Sequence, residues 1–350
     1  MKNWKDTVVR PNATVREVLR ALDKGAQKIA LVCDDSDKLL AVVSDGDIRR
    51  GLLSELHMDD SVSAVANTKP KVAQQGVTRE KLKEILTKES LNALPIVDQE
   101  NRVVALHTLG SLEERPVLEN PVFIMAGGFG TRLRPLTDNC PKPMLPIGDK
   151  PILQHTIERM KKQGFRSFFI STHYLPEQIK DHFGDGSALG VNISYVHEEE
   201  PLGTGGALGL LPLDIPEKPL ILLNGDILTD LDFGFILESH EDKGSDATMC
   251  LRELETSLAY GVVEVVEGNV TGMMEKPTYR HLINTGMYVL SNSCVKSVKR
   301  GLRIDLPSLL EQRIQAGRSV NAYTFYGKWI DIGQMNDYVR AQSTFDTFGY

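Results

Sequence analysis

The chain has 350 residues, of which 41% are hydrophobic and 25% charged, and a net charge of −7 at pH 7. This composition is typical of a soluble globular protein of two or three domains, and no apolar run approaches the ~18 residues of a membrane span. An acidic protein lacks the dense basic face that binds nucleic-acid phosphates, which excludes nucleic acid as a partner, and four dispersed cysteines predict reduced thiols in a cytoplasmic protein.

The first 115 residues contain an internal repeat. The first copy has a helix from Thr14, an apolar run at 29–32 and a second apolar run at 39–43. The second copy, about 64 residues later, has a helix from Thr78 and apolar runs at 93–97 and 102–106. A repeated order of helix, strand, turn and strand predicts two similar α+β units. We place them at residues 1–56 and 57–115.

A segment rich in charge and proline, residues 113–116, follows the repeat, and Pro121 comes soon after it. Such a cluster is typical of a linker between domains. We therefore expect a second domain over residues 121–346.

Strands and helices alternate in this second domain. Apolar strands are expected at 122–125, 168–170, 191–196 and 220–223, and helices at 152–162, 176–183 and 335–344. The alternation predicts an α/β fold with a mostly parallel sheet covered on both faces. Residues 261–266, 269–274 and 283–290 are more typical of hairpins, so we expect antiparallel additions there.

A glycine-rich segment, AGGFGTRLRPLT at 126–137, follows the first of these strands, and PKPML follows at 141–145. Glycines after a strand let backbone N–H groups approach phosphates, and Arg132 and Lys142 add positive charge. The segment lacks the lysine of a P-loop, and Leu133 replaces the third glycine of a dinucleotide-binding motif. If the GxG sequence stood alone, the favoured interpretation would be a tight turn at the end of the strand, with no phosphate bound.

Together the two segments resemble the signature of sugar-1-phosphate nucleotidyltransferases over residues 121–345. The resemblance implies a Rossmann-like, GT-A-like mixed sheet and transfer of a nucleoside monophosphate from an NTP to a sugar 1-phosphate. It also implies that Arg132 and Lys142 are catalytic and contact the phosphates. The glycine-loop residues expected to bind the nucleotide are Gly127, Gly128, Gly130 and Thr131.

Two aspartates match metal ligands of that family. Asp226 follows the apolar strand at 220–223, and Asp331 lies in the sequence WIDIG. Ligands of open α/β sheets bind at the carboxyl ends of strands, where Asp226 is expected. Taken alone, each aspartate could cap a turn or helix. The resemblance implies that Asp226 is catalytic and that both hold Mg²⁺, which commonly keeps phosphates and waters as its other ligands.

The sequence EEEPLGTGGAL at 198–208 resembles the nucleobase-binding segment of the family, with Gly203 beneath the base. Glu198 lies near the position where thymidylyl- and uridylyltransferases tend to carry Gln, and the triplet 198–200 leaves open which glutamate reads the base. A carboxylate only accepts hydrogen bonds, and guanine offers two donors, N1–H and the N2 amine, where uracil and thymine offer one. This favours GTP, while a uridylyl- or thymidylyltransferase remains the alternative.

The resemblance assigns the sugar 1-phosphate to Gly261, Glu275, Lys276 and Asn284, with Lys276 on the phosphate. Alone, the EKP and NTG sequences that contain the last three could be a turn and a bulge. The chain resembles the CBS-containing glucosamine-1-phosphate guanylyltransferases of legionaminic acid biosynthesis, and mannose-1-phosphate guanylyltransferases and heptose 1-phosphate enzymes carry similar motifs. The sequence does not choose between their sugars.

The repeat at 1–115 resembles a tandem CBS pair, in which a Ser or Thr and an Asp three residues later hold a nucleotide. Ser44 and Asp47 fit that pattern, whereas Ser111 replaces the Asp in the second unit if Thr108 aligns with Ser44. The pair could bind AMP or ATP or only mediate dimerisation, and a homo-oligomer is expected in either case.

A nucleotide-sensing regulator with an inactive transferase domain is a further alternative. The five charged residues of the implied site are all present, which argues against decay of the domain: Arg132, Lys142, Asp226, Lys276 and Asp331.

Overall fold

The computed structural model describes residues 4–25, 28–113 and 117–348. The chain divides into two compact units, Met1–Pro116 and Val117–Tyr350. Residues 114–116 of the predicted linker lie outside the described residues. None of the helices in the described ranges is long and apolar enough to cross a lipid bilayer.

The first unit contains two three-stranded sheets with the same topology. Its elements are β1 (Val8–Val9), α1 (Val15–Gly25), β2 (Ile29–Cys33), β3 (Leu39–Ser44), α2 (Asp45–Leu53), β4 (Ala73–Gln74), α3 (Arg79–Lys88), β5 (Ala93–Val97), β6 (Val103–Thr108) and α4 (Leu109–Glu113). In each sheet a short parallel strand precedes an antiparallel pair, in the orders β1-β2-β3 and β4-β5-β6. The internal repeat predicted from the sequence is therefore confirmed.

The two repeats share a hydrophobic core. Leu31 and Val42 of the first repeat belong to one buried cluster with Val97 and Leu106 of the second. All five residues of β2 and of β5 are buried, which explains their unbroken apolar sequences. Neither sheet is left with an apolar face open to water, because each helps to cover the other.

The second unit is built around a seven-stranded sheet. Its elements are β7 (Val122–Met125), β8 (Pro146–Ile147), β9 (Lys150–Pro151), α5 (Ile152–Lys162), β10 (Ser167–Thr172), α6 (Pro176–Phe183), β11 (Asn192–His197), α7 (Gly203–Gly206), β12 (Leu220–Asn224), β13 (Ile227–Thr229), α8 (Phe233–Asp242), β14 (Ala247–Ser257), β15 (Val262–Val266), β16 (Asn269–Met274), β17 (Thr278–Leu290), α9 (Asn292–Lys296), α10 (Leu306–Gln315), β18 (Val320–Thr324), β19 (Trp329–Asp331) and α11 (Met335–Thr344). The sheet order is β11-β10-β7-β12-β17-β14-β18.

Four of the six pairings in this sheet are parallel, and β17 pairs antiparallel with both β12 and β14. The mostly parallel sheet and the antiparallel additions predicted from the sequence are both confirmed. Alternate residues of β7 enter opposite cores, with Val122 and Ile124 on one side and Phe123 on the other. Strands β10 and β12 both pair parallel with β7, so the carboxyl ends of all three lie along one edge of the sheet.

Strands β15 and β16 form a separate hairpin outside this sheet. The pairing places Val263 opposite Met273 and Val265 opposite Val270, so these four residues share one face. They are 46%, 79%, 58% and 64% exposed, respectively. The hairpin thus projects from the folded core with an apolar face in solvent.

Candidate active site

A cavity of about 440 Å³ lies at the carboxyl ends of β7, β10 and β12. This is the edge where open α/β sheets bind ligands. Nine residues selected from the sequence line it: Gly127, Gly128, Gly130, Thr131, Arg132, Lys142, Glu198, Gly203 and Asp226.

The glycine loop after β7 is held in shape at Gly130. Its backbone has φ +63°, and a Cβ there would lie 2.9 Å from Thr137 Cγ2 and 3.1 Å from Lys142 Cβ. Thr137 Oγ1 donates a hydrogen bond to the Gly130 carbonyl at 2.8 Å. These contacts bring the loop against the PKPML segment, while Gly128 faces open space.

Lys142 and Asp226 form an ion pair in the floor of the cavity, with Lys142 Nζ donating to Asp226 Oδ2. The side chains are only 12% and 16% exposed. Asp226 Oδ1 is buried and meets no hydrogen-bond donor in the described part of the chain. A buried, unsatisfied oxygen costs roughly 1–3 kcal/mol, and a cation would remove that cost.

Asp331 lies beside Asp226 because two short strands pair. Strand β13 follows Asp226 and runs antiparallel to β19, which ends at Asp331. The N–H of Ile332 donates to the Asp226 carbonyl at 3.1 Å. Burial raises the pKa of Asp331 to about 6, the negative charge of Asp226 adds to this increase, and Lys142 and Arg132 oppose it.

The two aspartates fit a divalent cation. Their mutual repulsion and the unsatisfied oxygen of Asp226 would both be relieved by one positive ion. Within the described ranges, no cluster of three or more His, Cys, Asp or Glu side chains could hold a metal. A cation here would therefore take its remaining ligands from phosphates and water, as Mg²⁺ commonly does.

Glu198 lies at the other end of the cavity, directly after β11. It is only 7% exposed, and its Oε2 accepts a hydrogen bond from Leu202 N at 3.1 Å. His173 Nδ1 lies 2.7 Å from the Glu198 carbonyl and holds the backbone in place. A buried carboxylate that accepts a backbone hydrogen bond therefore borders the Gly203 turn.

The segment that supports this turn, around Ile304, carries no motif in the sequence. Ile304 accepts hydrogen bonds from Gly205 N and Gly206 N, each at 2.9 Å, and donates to the Leu202 carbonyl at 2.9 Å. Asp305 follows and lines the cavity. Its position before Leu306-Pro307 signals only a helix start, and backbone contacts across 100 residues leave no sequence pattern.

The four residues assigned to the sugar do not line this cavity. Gly261, Glu275 and Lys276 are exposed and lie at the base of the β15–β16 hairpin. The Asn284 side chain donates to the Tyr288 hydroxyl and accepts from Gly286 N at 3.0 Å. The register between β14 and β17 shifts at this point, so the NTG sequence lies in an irregular part of the strand.

Ser44 and Asp47 in the first unit bond to each other at the start of α2. They form a reciprocal capping box, and Asp47 also pairs with Arg50. Thr108 and Ser111 bond reciprocally at the start of α4. The two positions are thus structurally equivalent, and Ser111 replaces the carboxylate in the second repeat.

Known proteins resemble both units. Residues 122–347 match the sequence profile described as nucleotidyl transferase, and residues 4–54 match the CBS domain. The chain is 34% identical over 227 residues to mannose-1-phosphate guanylyltransferase of Mycobacterium tuberculosis, which covers 63% of each protein. It is 35% identical over 228 residues to the mannose-1-phosphate guanylyltransferase catalytic subunit beta of Danio rerio, which covers 62% of each.

A solved structure supports the same relationship. HddC from Yersinia pseudotuberculosis superposes with a TM-score of 0.51 at 30% sequence identity, covering 65% of this chain and 99% of HddC. HddC complexed with GMP-PN gives the same TM-score at 29% identity. With a family match over 122–347, the chain belongs to the nucleotidyl transferase family and carries a CBS domain at its N-terminus.

Proposed function

We propose that this chain is a guanylyltransferase that transfers GMP from GTP to a hexose 1-phosphate and releases pyrophosphate. The observation that carries the proposal is the Lys142–Asp226 pair beneath the glycine loop, with Asp331 adjacent to it. Such a group of one cation and two carboxylates suits a metal–triphosphate substrate. Asp226 and Asp331 would hold Mg²⁺, which when bound neutralises phosphate charge.

The reaction needs no covalent enzyme intermediate. An oxygen of the sugar 1-phosphate attacks the α-phosphorus of GTP in line, the bond from this phosphorus to the bridging oxygen breaks, and pyrophosphate leaves. The backbone of residues 127–131 would cradle the triphosphate, while Arg132 and Lys142 balance its charge. Lys276 would hold the attacking phosphate, and Glu275 and Asn284 the sugar hydroxyls. Catalysis is then positioning and electrostatic stabilisation.

GTP is the preferred donor in this proposal because Glu198 offers a buried acceptor to the guanine donors. The names of the relatives agree with this choice, as does the GMP-PN bound to HddC. Mannose 1-phosphate and glucosamine 1-phosphate are the leading acceptors, from the relatives and from the family resemblance respectively. The chain spans about 63% of the length of the relatives it matches, so their substrates enter only as proposals.

A pyrophosphate-release assay tests the function. Four NTPs are crossed with mannose, glucosamine, glucose and heptose 1-phosphates in the presence of Mg²⁺. We expect turnover with GTP and one of the first two sugars. Higher kcat/KM with UTP or dTTP would refute the guanylyl assignment, and no turnover with any pair would favour an inactive domain.

The role of the first unit is tested in the same assay. We propose that Ser44 and Asp47 bind the ribose and phosphate of AMP or ATP and that the CBS pair associates into a homo-oligomer. Added AMP or ATP should then change turnover in the wild-type protein but not in Asp47→Ala, and light scattering should give a mass above 38.8 kDa. A nucleotide response that Asp47→Ala retains would contradict this assignment.

A further inference from the structure

Asp305 places a second carboxylate at the nucleobase end of the cavity. It lines the same space as Glu198 and Gly203, although it lies about 100 residues downstream of them. No motif in the sequence assigned it a role. Its position comes entirely from the way the segment before α10 packs on the Gly203 turn.

The packing between Asp305 and this turn is close. Gly203 has φ +78°, and a Cβ there would lie 2.7 Å from Asp305 Oδ1 and 2.8 Å from the Ile304 carbonyl oxygen. Asp305 Oδ1 accepts a hydrogen bond from Thr204 N at 3.2 Å, while Thr204 Oγ1 accepts one from Leu306 N at 2.8 Å. These contacts fix the carboxylate against the floor of the turn.

Each of the two carboxylates has one oxygen engaged with the turn. Glu198 Oε2 accepts from Leu202 N, and Asp305 Oδ1 accepts from Thr204 N. Leu202 and Thr204 flank Gly203, so one oxygen of each carboxylate is held at the same turn. The second oxygen of Glu198 lies on the Gly127 side, 3.1 Å from where a Cβ of Gly127 would be. Two acceptors, one from each side chain, match a base that presents two neighbouring donors.

We propose that Asp305 accepts a hydrogen bond from the 2-amino group of guanine and thereby sets base specificity together with Glu198. This inference rests on the proposed guanylyltransferase function. Among the five common bases, guanine alone presents an amine at C2, next to the N1–H donor. Adenine, uracil, thymine and cytosine would leave one of the two acceptors without its donor, and at the buried Glu198 this carries a desolvation cost that disfavours them.

Inosine triphosphate isolates this contact because it differs from GTP only by lacking the 2-amino group. The experiment measures kcat/KM for GTP and ITP in the wild-type protein and in Asp305→Asn. The asparagine keeps an Oδ1 acceptor for Thr204 N and replaces the other oxygen with a donor, which opposes the amine. We expect the GTP/ITP ratio of kcat/KM to fall at least tenfold, equivalent to ~1.4 kcal/mol.

Two further variants separate recognition from support of the turn. Asp305→Ala removes both roles, so all nucleotides should be used less well, with a larger loss for GTP than for ITP. Asp181→Asn, on the exposed side of α6, is the matched control and should keep the wild-type ratio. Thermal unfolding of each variant checks that the fold is retained.

Three outcomes would overturn the proposal. Equal losses for GTP and ITP in Asp305→Asn would mean that Asp305 only supports the turn. An unchanged GTP/ITP ratio and unchanged rates would mean that it does not meet the base. A selective change in the ratio of GTP to dGTP would assign it to the ribose. The proposed function fails separately, when the wild-type protein itself prefers another NTP.

Discussion

The two ends of the transferase unit are built in different ways. At the proposed nucleotide end, the glycine loop and Asp226 come just after β7 and β12, strands buried on both faces. At the proposed sugar end, Glu275 and Lys276 are exposed at the base of a two-stranded hairpin. The large core fixes the first set of residues, whereas local pairing fixes the second.

The two regions differ in how much packing stabilises them. A two-stranded hairpin is marginally stable in water unless something packs against it, and the β15–β16 hairpin exposes Val263, Val265, Val270 and Met273. The cavity at the sheet edge is therefore fixed by the large core, whereas the residues proposed for the sugar depend on a hairpin with little packing of its own.

The largest expected effect is a difference in amide hydrogen exchange between the central sheet and the β15–β16 hairpin. Amides of β7, β10 and β12 should open only with global unfolding, whereas those of β15 and β16 open locally. For a domain stable by ~5 kcal/mol or more, the protection factors should differ by at least about 10³. Equal protection in the two regions, measured by mass spectrometry without ligands, would show that the hairpin is as stable as the sheet.

Asp226→Asn should reduce kcat by roughly 10²–10³, because it removes one carboxylate from the proposed metal site and leaves Lys142 without its charged partner. The measurement is pyrophosphate release at saturating GTP and sugar 1-phosphate. Asp214→Asn, in an exposed loop, serves as the control. A rate within threefold of wild type would remove Asp226 from the mechanism.

Acid titration tests a buried ion pair between α10 and the segment before β14. Arg313 of α10, the helix that begins next to Asp305, binds Asp246 at 2.6 and 2.9 Å. Burial would raise the pKa of Asp246, but hydrogen bonds from Arg313, Ser293 and Ser291 outweigh it and lower the pKa to about 2.

A carboxyl group with a lowered pKa stabilises the folded state fully above its unfolded pKa, near 4, and loses that contribution as the pH falls toward 2. Asp246→Asn should therefore reduce the free energy of unfolding by ~2 kcal/mol at neutral pH and flatten its decline between about pH 4 and 2. Chemical denaturation at several pH values measures both effects. An unchanged slope in the variant would contradict the assignment.

Lys276→Ala should raise KM for the sugar 1-phosphate about tenfold, because one charge-assisted hydrogen bond is lost. KM for GTP should change little, since Lys276 does not line the nucleotide cavity. Lys243→Ala, at the exposed end of α8, is the matched control. Equal increases in KM for GTP and for the sugar 1-phosphate would mean that Lys276 does not act on the sugar phosphate alone.

The sequence predicted those parts of the molecule that local patterns determine. Helices at 152–162, 176–183 and 335–344 have the predicted bounds, and the apolar strands lie where expected. Glycine spacing identified the loop, because a left-handed backbone at Gly130 and the close approach of Lys142 need that residue type. The internal repeat of the first unit was also recognisable, because its helix starts and apolar runs are local patterns.

Features that depend on distant contacts were not predictable. The support of the Gly203 turn by Ile304 uses backbone groups, which any residue could supply. The long strand β14 was missed because its outer half is exposed and rich in charge. The hairpin was placed correctly in sequence, but nothing in its pattern indicated that its residues would lie outside the nucleotide cavity.

The central claim is that Asp226 and Asp331 together hold one divalent cation beside the nucleotide phosphates. Electron paramagnetic resonance with Mn²⁺ and a non-hydrolysable GTP analogue measures this without turnover. We predict one bound Mn²⁺ per wild-type chain, and much weaker binding in both Asp226→Asn and Asp331→Asn. Wild-type Mn²⁺ affinity in both variants would contradict the claim.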